Sequence, residues 1–335
     1  MRAAKFIQEG NLQILDVSVP AVGPNQVRIE VEACSICGTD VHILSVPAGY
    51  AATPGTTLGH EFCGIIVEKG QNVHHLDLGE RVVVNPNNYC GTCRYCQKNL
   101  PNHCQNIEAL GIDYDGAFAQ YCVVDEKVVY PISKAVPKEI AACCEPLACA
   151  VNGLRKVQII PGCSAVVIGA GPIGVMMAML LKASGVAQLY ILETSPWRRE
   201  FAQTLGLGTV VDPIEKDIKT SIIQETGIGA DLVFDMTGSQ GKLALELLRK
   251  GGEAVYFGVN QQAHWEFSQS IATQKEITIH GTWLANATFP DAIRILEKEL
   301  IDIRPLITET VTLDHLMDSI RKLSEGKAMK IIVLP

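Results

Sequence analysis

Two patterns of hydrophobic and polar positions divide the chain. Through the first 140 residues, short apolar or alternating runs recur at 26–31, 64–67, 81–84 and 121–124, with Gly, Pro and Asn between them. Period-two alternation bounded by turn-forming residues predicts β-strands. From Glu145 onward the pattern changes. Strand-like runs at 166–168, 189–192, 209–211, 231–235, 253–257 and 277–279 are separated by helical stretches at 175–182, 198–205 and 242–250. Six strands alternating with helices predict a doubly wound parallel sheet with right-handed crossovers. Beyond residue 286 the periodicity predicts amphipathic helices at 289–300 and 313–323 and a last strand at 330–333. The expected fold class is therefore α/β, with a β-rich first domain.

The junction of the first strand and helix of the second half carries Gly169-Ala170-Gly171-Pro172-Ile173-Gly174. The apolar run Ala165-Val166-Val167-Ile168 leads into it, and Val175-Met176-Met177 leads out. Nineteen residues past Gly174, the next strand pattern ends in Glu193. This context gives a tight turn, backbone that can approach a pyrophosphate, a helix N-terminus for the anion and a carboxylate for the adenosine ribose. It predicts a dinucleotide site, with NAD favoured over NADP because the carboxylate accepts from ribose hydroxyls and repels a 2′-phosphate. Arg198 and Arg199 follow five and six residues on, where a basic side chain meets a phosphate. The uncharged stretch 157–181 is long enough for a membrane span, but its two prolines and four glycines fit this strand–turn–helix unit instead.

Composition narrows the function. A 47% hydrophobic and 19% charged chain is that of a globular protein, and a net charge of −8 disfavours nucleic acid or an anionic membrane as partner. Twelve cysteines with no apolar leader pattern at the start predict free or metal-bound thiols in a reducing compartment, the cytoplasm.

Those cysteines supply two metal-type clusters. Cys90, Cys93, Cys96 and Cys104 lie within fifteen residues in a polar loop at 85–106. Four thiolates close a tetrahedral zinc site, so this one is expected to be structural. The last spacing, seven residues with no proline following, departs from the bacterial ferredoxin pattern. The second cluster is Cys37, His60, Glu61 and the more distant Glu145. Cys, His and Glu all ligate zinc, and a catalytic site needs three of them plus an open position. Thr39 and His42, two and five residues past Cys37, are a hydroxyl and an imidazole placed to relay a proton.

Cys37-Gly38-Thr39-Asp40-Val41-His42, Gly59-His60-Glu61-Phe62-x-Gly64, Gly79-Glu80-Arg81-Val82, the cysteine lobe, Asp115-Gly116-Ala117-Phe118-Ala119-Gln120-Tyr121, Glu145-Pro146-Leu147 and Gly169 to Gly174 follow in this order. In this the chain resembles the zinc-containing medium-chain dehydrogenase/reductase family over essentially its whole length. The resemblance implies a GroES-like catalytic domain (1–146), a Rossmann NAD-binding domain (147–285), and a segment (286–335) returning to the first. It also implies a homodimer or homotetramer, and two zinc ions per chain.

Glu145-Pro146-Leu147 resembles the polyol (sorbitol-type) and sugar-alcohol-phosphate branch, shared with butanediol dehydrogenases. The implied reaction is oxidation of a secondary alcohol of a polyol, sugar acid or cyclitol to a ketone, with hydride transfer to NAD. A small diol or sugar-alcohol phosphate is the alternative substrate, and a catalytically silent zinc-stabilised NAD-binding protein is the alternative of another class. By position, Cys37, His60 and Glu61 resemble the catalytic zinc ligands, with Glu145 either a fourth ligand or the holder of the zinc-bound water. The implied cofactor contacts are Gly169, Gly171, Pro172, Ile173, Gly174, Glu193, Arg198, Phe257, Gly258 and Val259. The chain departs from the family pattern at Asn152, where many relatives have His, and at Trp283-Leu284-Ala285, where polyol dehydrogenases often offer a substrate-binding arginine.

Overall fold

The computed structural model describes residues 1–214 and 217–335. It divides into two compact units, Met1–Ala148 with Ala285–Pro335, and Cys149–Leu284.

The first unit is built on a seven-stranded sheet. Its path runs Ile307–Thr312, Lys330–Leu334, Gln26–Ser35, Glu61–Lys69, Arg81–Val84, Val129–Pro131, and Tyr121–Asp125 also pairs with Gln26–Ser35. Alternation in Gln26–Ser35 sends Val27, Ile29 and Val31 inward and Arg28 and Glu30 outward, as a strand buried on one face requires. The inward side chains join Phe62, Ile66, Val82 and Phe118 in one core, completed from the far end of the chain by Leu316, Ile320, Ile331 and Val333. The pairing Ile332↔Ser35 beside Glu61↔Ser35 puts the last strand, the first long strand and the His60–Glu61 strand side by side. Two helices differ from expectation. Phe289–Glu297 stops short of residue 300, with Glu299 adopting a left-handed φ of 49° just past its end. The expected 313–323 helix opens instead as a 3-10 turn, Leu313–His315, before Leu316–Ser324, a common way to tighten a first turn.

The second unit holds six parallel strands in the order Thr209–Val211, Gln188–Leu192, Ser164–Ile168, Ala230–Asp235, Leu248–Tyr256, Thr278–Gly281. In chain order this is 3-2-1-4-5-6, the doubly wound arrangement. The central strand Ser164–Ile168 is buried along its whole length, which is why it reads as a continuous apolar run without alternation. Ile168 pairs with both Leu192 and Asp235, so the residues that follow each strand emerge along one carboxyl edge. The helix expected at 242–250 is Gly241–Leu247, and the strand already begins at Leu248. Gly251 and Gly252, poor helix formers, lie in a bulge of that strand, with Gly251 at a left-handed φ of 68° and a register shift between the Ala230 and Leu232 pairings. No helix among the described residues is long and apolar enough to cross a membrane.

Candidate active site and metal centres

Sequence-distant residues converge at the first metal centre. Cys37 is the N-cap of the six-residue helix Gly38–Ile43, and its Sγ accepts from the Thr39 N–H at 3.4 Å. Asp40 closes the capping box by accepting from the Cys37 N–H at 2.9 Å, fixing the thiol at the helix entrance. His60 enters from the other side through Gly59, whose φ of 93° suits glycine and whose added Cβ would lie 2.8 Å from the Phe118 backbone nitrogen. The next residue, Glu61, begins a strand. One ligand atom each of Cys37, His60 and Glu61 lies within 4.8 Å of the other two.

The electrostatics of this group call for a cation. Burial alone would lower the His60 pKa, but the charges of Cys37, Asp40 and Glu145 outweigh it and draw the imidazole well above its usual value. His60 Nδ1 faces Asp40 Oδ1 at 3.9 Å, and neither atom has a hydrogen-bond partner among the described residues. Glu145, in the first turn of Cys144–Leu154, is buried and takes part through its charge on His60. A deeply buried lysine, Lys330, forms an ion pair with Glu61 Oε2 and donates to the Ile36 carbonyl at 3.3 Å. Burial opposes its charge, but its partners, Glu61 first, outweigh that and raise the Lys330 ammonium above its usual value. Asp40 and Lys330 are site residues the sequence pattern did not mark.

Thr39 and His42 lie on the same short helix, one turn apart, with Thr39 Oγ1 3.6 Å from Cys37 Sγ and His42 exposed. The hydroxyl and the imidazole thus lead from the metal group outward to solvent.

The second centre gathers Cys90, Cys93, Cys96 and Cys104, again with sulfurs within 4.8 Å of one another. Three of their separations are 3.5, 3.9 and 3.5 Å. Tetrahedral zinc with Zn–S near 2.3 Å requires sulfurs about 3.8 Å apart, so the cage fits zinc with all positions filled by protein. Backbone N–H groups of Thr92 and Cys93 lower the Cys90 thiol to about 5, and those of Cys96 and Gln105 lower Cys93, while burial pushes Cys96 up to about 12. The cage therefore already favours the thiolate at two of its four positions.

The second unit carries the nucleotide turn. Gly171 caps the helix Pro172–Ala183, and Pro172 occupies its first position. Gly174 must lack a side chain, because a Cβ there would sit 1.9 Å from the Gly169 carbonyl oxygen. Glu193 is buried at the end of the adjacent strand, where its carboxylate accepts from Ala170 N–H and Ser195 N–H, each at 2.8 Å. Of the two following arginines, Arg199 is engaged by Asp212 at 2.7 Å and by the carbonyls of Glu193 and Thr194. Arg198 keeps a buried Nε without a hydrogen-bond partner among the described residues, and its guanidinium reaches within 3.9 Å of the position a Gly171 Cβ would take. Phe257 and Gly258 both donate backbone N–H groups to the Asp235 carbonyl, which holds the 257–259 loop at the same carboxyl edge, and Val259 is exposed. The Asp235 carboxylate, which sequence patterning also missed, accepts from the N–H groups of Thr237, Gly238 and Gln240. The two departures from the family pattern meet in this unit: Asn152 Nδ2 donates to the carbonyls of Leu284 at 2.7 Å and Trp283 at 3.3 Å, with Leu284 at a left-handed φ of 54°.

A GroES-type unit bearing a three-ligand metal group and a closed four-thiolate cage, together with a doubly wound nucleotide unit, defines a zinc-binding, dinucleotide-dependent dehydrogenase. The comparisons agree. Residues 23–134 match the alcohol dehydrogenase GroES-like domain, and residues 172–298 match the zinc-binding dehydrogenase family. The chain is similar to the L-threonine 3-dehydrogenase of Caldanaerobacter subterraneus subsp. tengcongensis, 36% identical over 99% of this chain and 97% of that one. It is 31% identical to the sorbitol dehydrogenase of Halalkalibacterium halodurans, over 97% and 96% of the two chains. A zinc-binding dehydrogenase structure from Sinorhizobium meliloti, bound to NADP, superposes with a TM-score of 0.93 at 31% identity, covering 100% of this chain and 99% of that one. The chain belongs to the zinc-containing medium-chain dehydrogenases and is an oxidoreductase of alcohols.

Proposed function

We propose that this enzyme oxidises a secondary alcohol of a polyol or sugar-derived substrate to the ketone, using NAD. The observation that carries the reading is the convergence of Cys37, His60 and Glu61 beside Thr39 and His42. Cys37, His60 and Glu61 hold the catalytic zinc, with Glu145 as the adjoining carboxylate, and Cys90, Cys93, Cys96 and Cys104 hold the structural one. When bound, zinc polarises the substrate hydroxyl and the nicotinamide takes up the hydride. The chain's own part is to position and to move a proton. Thr39 accepts the hydroxyl proton while passing its own outward, and His42, exposed on the same helix, delivers it to solvent. Gly169, Gly171, Pro172, Ile173 and Gly174 cradle the pyrophosphate, and the 257–259 loop adds backbone contacts to the cofactor.

Glu193 underlies the preference for NAD. Each of its carboxylate oxygens accepts one backbone N–H and retains a lone pair for a ribose hydroxyl, whereas a 2′-phosphate would meet its charge. With Arg199 engaged elsewhere, Arg198 is the arginine left to cover the adenine. The enzyme works as a homodimer or homotetramer in the cytoplasm, a reducing compartment that suits its free thiols.

The 36% identity to an L-threonine 3-dehydrogenase favours one second reading, a β-hydroxy amino acid whose secondary alcohol undergoes the same reaction. A panel of polyols, sugar acids, cyclitols, 2,3-butanediol and L-threonine, each with NAD and NADP and followed by NADH absorbance, decides between them. Turnover on polyols with NAD supports the primary reading, and turnover on L-threonine alone supports the second. No turnover on any alcohol, with two zinc ions bound, would identify a silent binding protein instead.

A further inference from the structure

Lys330 is ion-paired with Glu61 of the metal group, and its position is set by strand register. Ile36 N–H donates to the Ile331 carbonyl at 3.0 Å, aligning the last strand with the end of Gln26–Ser35 just before Cys37. Lys330, two residues before Ile332, therefore lies beside Glu61 across that strand end. Lys330 is 3% exposed and Glu61 is 1% exposed. Burying an ammonium is costly unless charges and acceptors surround it. Here Glu61 Oε2 and the Ile36 carbonyl supply them.

This contact has a chemical consequence at the carboxylate. The ammonium's positive charge at Oε2 repels a second cation from that oxygen, so Glu61 turns Oε1 toward a metal, and the neighbouring charge weakens even that donor. We infer that Lys330 is a positioning residue that keeps Glu61 a one-oxygen, readily exchanged ligand. The inference rests on the reading of Cys37, His60 and Glu61 as the catalytic zinc ligands. A conventional structural role would make any loss of Lys330 loosen the site. A restraining role makes the direction depend on what replaces it. An uncharged side chain frees both oxygens for the metal. A guanidinium fork takes both oxygens away from it.

The test measures metal release from the intact enzyme to a chelator after cobalt substitution, with the visible spectrum of the cobalt form as a second readout. The release phase missing in Cys37→Ala identifies the catalytic site. If that variant still binds two metals with unchanged phases, the reading of the site itself fails, independently of Lys330. Given that phase, Lys330→Met is expected to release the catalytic metal more slowly, on the order of tenfold, the usual scale for outer-shell changes. Its cobalt absorption should fall as the coordination number rises. Lys330→Arg is expected to release the metal faster than the wild type. Faster release from both variants, or no change in either, overturns the proposal. Should Lys330→Met fail to fold, Lys330→Arg decides alone: faster release supports the restraint, and equal or slower release refutes it.

Discussion

Replacing Glu193 by alanine tests more than cofactor choice, because its carboxylate also braces the glycine turn. It accepts from the Ala170 N–H, which lies in a fully buried residue, and from the Ser195 N–H at the start of the next helix. Hydrogen bonds to a charged group contribute about 1.5–3 kcal/mol each. The Ala170 donor loses its partner with no water to replace it, while the Ser195 donor can turn to solvent, so the combined loss is about 2–4 kcal/mol. At about 2–4 °C per kcal/mol, unfolding of the nucleotide unit should come roughly 5–15 °C earlier. The Glu193→Gln variant should fall between, since its amide accepts one N–H but presents its own donors to the other. The assay is thermal unfolding of the cofactor-free enzyme, followed by titration calorimetry with NAD and NADP. Glu193→Ala is expected to lower the melting temperature, weaken NAD binding and spare NADP. An unchanged melting temperature would refute the bracing role, and unchanged NAD affinity would refute the ribose contact.

Further outcomes follow from the same geometry. Cys104→Ser should reduce zinc content, measured by elemental analysis, from two ions to one, with an accompanying loss of thermal stability and with cobalt spectra showing the catalytic site intact; retention of two ions would show that the cage is not a metal centre. His42→Ala should lower kcat by on the order of tenfold without changing metal content, because water can partly replace an exposed relay group; an unaltered kcat would remove His42 from the proton path. Burial would raise the Asp231 carboxyl, but donors from Ser164 and Arg249 outweigh this and hold it below the usual carboxylate value. A depressed pKa gives stability that is full above about pH 4 and lost as pH falls through the folded value. Urea midpoints of wild type and Asp231→Asn should therefore converge below about pH 4, and parallel curves down to pH 3 would refute this.

What the sequence reveals here is what is encoded locally. The turn at Gly169 to Gly174 and the carboxylate at Glu193 stand out because strand, turn, helix and strand follow within some thirty residues, each with its own period. The cysteine cage is equally local. Cys37, His60 and Glu61 emerge from residue types and family resemblance, but the partners that orient them do not. Asp40 reads as an ordinary first-turn acid, and its facing of His60 exists only once two strands pair. Lys330 reads as a flanking charge on a last strand, since no sequence period records register with residue 35. Sequence periodicity carries the Gly241–Leu247 helix on to residue 250 because Leu247 and Leu248 look equally apolar in a helix or a strand, and only the sheet pairing of Leu248 decides. Arg198 and Arg199 are indistinguishable by type, and Asp212 separates their roles in three dimensions.

The pairing of Glu61 with Lys330 spans 269 residues. At a synthesis rate of about 5–20 residues per second, the carboxylate leaves the ribosome roughly 15–50 s before its counter-ion. In that interval the whole nucleotide unit, Cys149–Leu284, is made and can collapse around its own parallel sheet. The catalytic unit meanwhile waits with its central strand lacking one neighbour and Glu61 lacking its lysine. Birth order thus gives the enzyme a nucleotide-binding half before a finished metal-binding half, and a chain stalled late in synthesis would carry the first without the second.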